Sequence, residues 1–114
     1  MSTVTAVSKT EAWQGLQALA RLYQAGFQSA FLNNVLHRAL QHQIHRDESD
    51  LARINAALAE FEQKYGLTTE EFWQRFQAGQ MSDTADFMEW NVLCKMRQRI
   101  QGRLDILRGD GGDG

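Results

Sequence analysis

Nine positions between Leu36 and Tyr65 keep one helical phase, and this constrains the fold more than any other feature of the chain. Leu36, Leu40, Ile44, Asp47, Leu51, Ile54, Leu58, Phe61 and Tyr65 follow one another in steps of three and four. The mean step is about 3.6 residues, the α-helical period. The chain contains no proline, the residue that most reliably interrupts a helix. Phase held on both sides of Asp47 favours a single helix over residues 30–65, with Ser29 as its cap. The alternative is a break at residues 46–50 (RDESD), where Asp47 or Ser49 would cap a new start.

The remaining boundaries are written in capping chemistry. Ser8-Lys9-Thr10-Glu11 and Thr68-Thr69-Glu70-Glu71 both have the form of a capping box. In such a box the hydroxyl accepts from a backbone amide while the glutamate reaches back to the cap. Leu67 and Phe72 flank the second box as a hydrophobic staple. Gly26, Gly66 and Gly79 stand where left-handed C-terminal caps are needed. Asp83, with Asp86 three positions on, is the expected cap of a last helix. Phe87, Trp90, Leu93, Met96, Ile100, Leu104 and Leu107 form the apolar face of that helix. Helices are therefore expected near residues 9–25, 30–65, 69–78 and 84–108, with no strand and no internal repeat. Residues 1–7 and 109–114 read as flexible tails around a single helical domain at 8–108.

The fold class expected is all-α: an extended bundle of about four helices with one long central helix. Such a helix of 36 residues would be about 54 Å long, against a radius of gyration near 13 Å for a compact chain of this size. Part of its stripe is expected to outrun the other helices. An apolar stripe in water calls for cover, so a homodimer through Asp47, Leu51, Ile54, Leu58 and Phe61 is the natural expectation. Asp47 is the only polar member of the stripe. Either it pairs with an Arg or His of another helix or subunit, or the helix bends and lets it reach water.

Composition narrows the function classes. The formal net charge is −2, from 12 basic and 14 acidic residues, which argues against nucleic acid as the main partner. No apolar run approaches the ~20 residues a bilayer span requires. The opening residues, MSTVTAVSKTE, lack a secretory signal. The single cysteine, Cys94, cannot form an intrachain disulfide. A cytoplasmic protein is expected.

Residues 61–90 hold seven of the eleven aromatics together with an acidic cluster, and there the candidate contact surface lies. Asp83, Asp86 and Glu89 recur at i, i+3 and i+6 beside Phe87 and Trp90. As a functional group they would accept the arginines of a small basic partner, or hold a divalent cation weakly. As a structural one they complement the helix dipole and cap its start. Trp13, Trp73 and Trp90 read first as core. His37, His42 and His45 sit on the long helix without a further ligand set and read as surface histidines; no metal or other cofactor is expected. Cys94 has no neighbouring base and reads as an inert buried thiol.

Phe61-Glu62-x-Lys64-Tyr65-Gly66, Glu71-Phe72, Phe76-x-x-Gly79 and Asp86-Phe87-x-Glu89-Trp90 together resemble a family of small bacterial and archaeal proteins. Those proteins look like antitoxin components encoded beside RelE-like or nuclease-type toxins. The likeness spans roughly residues 55–107, and its motifs are structural, not catalytic. It implies a non-enzymatic protein that binds and neutralises a small toxin. The alternatives are a helical homo-oligomeric scaffold, a small-ligand or metal-binding bundle, and a DNA-binding regulator using Arg97, Arg99, Arg103 and Arg108.

Overall fold

A computed structural model describes residues 6–109, so the tails expected at 1–7 and 109–114 fall largely outside the described residues. Four helices account for the described chain, which has no strand: α1 (Lys9–Gln24), α2 (Ala30–Tyr65), α3 (Thr69–Gln77) and α4 (Ala85–Leu107). The all-α class and the long central helix are as the periodicity requires. α2 runs unbroken through residues 46–50, because the side chains there keep the phase that packing rewards.

Both capping boxes form. Ser8 Oγ accepts from the Glu11 amide while Glu11 Oε1 accepts from the Ser8 amide, and Thr68 and Glu71 do the same at α3. Ser29 Oγ accepts from the Leu32 amide at the start of α2. Gly26 (φ 95°) and Gly66 (φ 67°) end α1 and α2 in the left-handed region that glycine tolerates best. The cap of α4 differs from expectation. Thr84, not Asp83, takes the position, and its hydroxyl accepts from the Phe87 amide at 3.2 Å. A hydroxyl and a carboxylate one residue apart are both competent caps, and sequence alone does not choose between them.

The chain divides into two compact units, the first ending at Arg38 and the second beginning at Ala39, inside α2. The second unit owns the core. Ile44, Ile54 and Leu58 of α2, Phe72 of α3, and Trp90, Cys94, Ile100 and Leu104 of α4 are buried together, with Leu51, Phe61, Leu67 and Phe87 packed against them. This corrects the expected dimer seam. Ile54 and Leu58 are enclosed by helices of their own chain, because α4 is long enough to cover the stripe where α2 carries it. No second copy is needed to hide these residues. Asp47 is likewise inside, only 1% exposed.

The first unit is of another kind. α1 has no buried residue at all. Along its apolar face Leu19 and Tyr23 alone are half-buried. The Tyr23 hydroxyl donates to Asn33 Oδ1 at 2.6 Å, and Phe27 meets Tyr23 edge-on at 6.5 Å.

Candidate interaction surface

The acidic-aromatic segment around α4 is taken apart by its own packing. Trp90 is 0% exposed. Its ring stacks on Phe72 with centroids 4.1 Å apart and planes 1° from parallel, and Phe61 stacks at 5.4 Å. The indole N–H donates to Thr69 Oγ1 at 3.2 Å, supplying the partner that a buried indole needs. Thr69 in turn donates its amide to Glu62 Oε2 at 2.7 Å. Trp90 is thus the centre of the core and cannot touch a partner, which corrects its assignment to a contact surface. Phe87 is half-buried between Tyr65 (4.9 Å) and Phe72 (5.6 Å) and is largely spent in the same way.

Asp86 does not stand with Asp83 and Glu89 as one anionic patch. It accepts from Lys64 Nζ at 2.7 Å and from the Tyr65 hydroxyl, tying the end of α2 to the start of α4. The lysine ammonium and the phenol hold its carboxyl below the usual carboxylate range, and the bonds to Asp86 raise Lys64 and Tyr65 in return. Asp83 and Glu89 remain exposed, and among the described residues no ion pair engages either.

The periodicity of α4 marks its inner face and does not single out its outward side. Met88, Val92 and Met96 follow one another at i, i+4 and i+8, and all three are exposed, Val92 by 51%. That spacing places them together on one side of the helix, opposite Trp90, Cys94 and Leu104. Met96 was expected on the inner face; it lies at the margin, lining an open groove with Ile54, Leu93 and Ile100. Lys95 and Arg99 share the outward side and are exposed, as Glu89 is nearer the start. The four arginines proposed for nucleic acid do not form a free strip: Arg97 pairs with Glu70, Arg103 with Asp47 and Arg108 with Glu48.

The other candidate chemistry is quiet. His37, His42 and His45 are exposed on α2, and among the described residues no group of three or more His, Cys, Asp or Glu side chains stands ready for a metal ion. Burial pushes the Cys94 thiol up, keeping it protonated at neutral pH. No helix among the described residues is long and apolar enough to cross a membrane. Compared with protein-family models, with characterised proteins and with solved structures, the chain shows no significant match.

Proposed function

We propose that this chain is a non-enzymatic helical interaction module that binds and neutralises a small protein partner, in the manner of an antitoxin. One observation carries the reading: α4 is apolar on two sides. Its inner side is filled by the core, and its outer side keeps Met88, Val92 and Met96 open to water. Three large apolar side chains in one exposed row, bordered by Glu89, Lys95 and Arg99, have the make-up of a contact surface with a polar rim. Methionines in such a position suit a surface that adapts to a bound protein. Asp83 and Glu89, exposed near the same end, favour a partner with basic groups there; a small basic toxin is the partner that the antitoxin-like motifs within residues 55–107 would imply.

Co-expression with any small basic protein encoded beside this one tests the reading. Copurification and relief of growth arrest are expected, and both should be lost in a Val92→Glu chain that keeps its melting temperature within a few degrees. Failure of the unaltered chain to bind or protect would refute it.

A further inference from the structure

The first unit presents a problem that the second has solved. A 16-residue helix in isolation is marginal in water, yet α1 has a formed capping box and no fully buried residue. Trp13 is 58% exposed and Phe31, at the start of α2, is 73% exposed; Leu16, Phe27 and Val35 are open as well. These five side chains leave on the order of 500 Å² facing water, given that large aromatics carry about 150–250 Å² each. A stable interface takes about 800 Å² from each partner, so these side chains alone supply the larger part of one.

What covers it is indicated by its charge. Residues 12–37 hold one formally charged side chain, Arg21, among Gln14, Gln17, Gln24, Gln28 and Asn34. Interfaces between identical chains are more apolar than those between transient partners. In a two-fold interface between identical chains, a residue near the axis faces its own copy. A charge there meets like charge, whereas an amide both donates and accepts and can pair with an identical amide. A large apolar face bordered by amides and nearly stripped of charge is therefore suited to itself.

We infer that the face formed by α1 and the start of α2 is covered by a second copy of this chain. The self-association seam lies in the first unit, not on the Leu51–Phe61 stretch of α2. The inference rests on the reading of the chain as an interaction module, and it assigns a separate surface to the second copy, leaving the outer side of α4 to the partner.

Sedimentation equilibrium of the full chain tests this, alone and with the co-expressed neighbour, in unaltered form and as a Trp13→Glu/Phe31→Glu variant. The unaltered chain should sediment at twice its 13.0 kDa. The variant should associate at least about thirtyfold more weakly, the loss expected for one interface hot spot. Its near-ultraviolet signal from Trp90 should be retained, since neither substituted side chain belongs to the core. Should the glutamates disturb that signal, Trp13→Gln/Phe31→Gln, which removes apolar area without adding charge, carries the same expectation. A 13.0 kDa species at high concentration, or a dimer indifferent to both variants, overturns the inference. A monomer that still captures the neighbour overturns it while sparing the proposed function; a dimer that captures nothing supports it and counts against that function instead.

Discussion

Asp47 and Arg103 form a two-pronged pair across the second unit, Nε to Oδ2 at 2.7 Å and one terminal nitrogen to Oδ1 at 2.8 Å. Gln43, one turn earlier on α2, donates to the same carboxylate at 3.0 Å. The pair joins positions 56 residues apart, and so fixes the register of α4 on α2. The carboxylate is buried while the arginine side chain remains 45% exposed, so the pair is a bolt entering from the surface.

Removing only the arginine strands a buried carboxylate, and that is the costly direction. Arg103→Met should therefore lower the melting temperature more than the double change Asp47→Leu/Arg103→Met. Thermal melts of the two variants check the order, and a double variant less stable than the single one would contradict it.

The pair also sets a pH dependence. The guanidinium holds Asp47 below its ordinary value, and Lys64 does the same for Asp86. A carboxylate with a depressed folded pKa contributes stability above its unfolded pKa and loses it as pH falls through the folded one. Stability should thus be flat near neutrality and fall below about pH 4. With Arg103→Met the Asp47 share of that acid-side fall should vanish, because burial without the guanidinium raises its carboxyl and protonation then relieves the stranded charge; denaturant titrations between pH 2 and 7 that show the same fall in both proteins would contradict this.

The aromatic centre makes a second stability claim. Trp90→Ala removes the ring against which Phe72 and Phe61 stack and orphans Thr69 Oγ1. Truncating a buried tryptophan costs about 3–5 kcal/mol. A loss under about 1 kcal/mol in urea unfolding would place Trp90 outside the core.

The start of α4 is a third. Thr84→Ala should cost about 1 kcal/mol as a lost cap, whereas Asp83→Ala should stay within about 0.5 kcal/mol, as exposed changes usually do. The reverse order would restore Asp83 as the cap.

The helices were legible because their signals are local. Capping boxes at Ser8 and Thr68, glycine stops at Gly26 and Gly66, and the phase of the Leu36–Tyr65 stripe act within a turn or two of themselves. The neighbours of each face were not legible, because periodicity says which residues share a side and not what lies against it. Hence Ile54 and Leu58 read as a dimer seam although α4 covers them. Asp86 read as part of a surface cluster although its partners, Lys64 and Tyr65, lie on another helix. The near absence of charge over residues 12–37 was the available sign that the first unit differs from the second.

Amide hydrogen exchange across a concentration series tests the central claim, that this chain is completed by another polypeptide and that α1 is completed by a second copy. Amides of Lys9–Gln24 should exchange quickly in dilute solution and become protected as concentration rises, while those of Thr69–Gln77 and Ala85–Leu107 stay protected throughout. Protection of α1 that is strong and unchanged at the lowest concentration, or absent at the highest, would contradict the account.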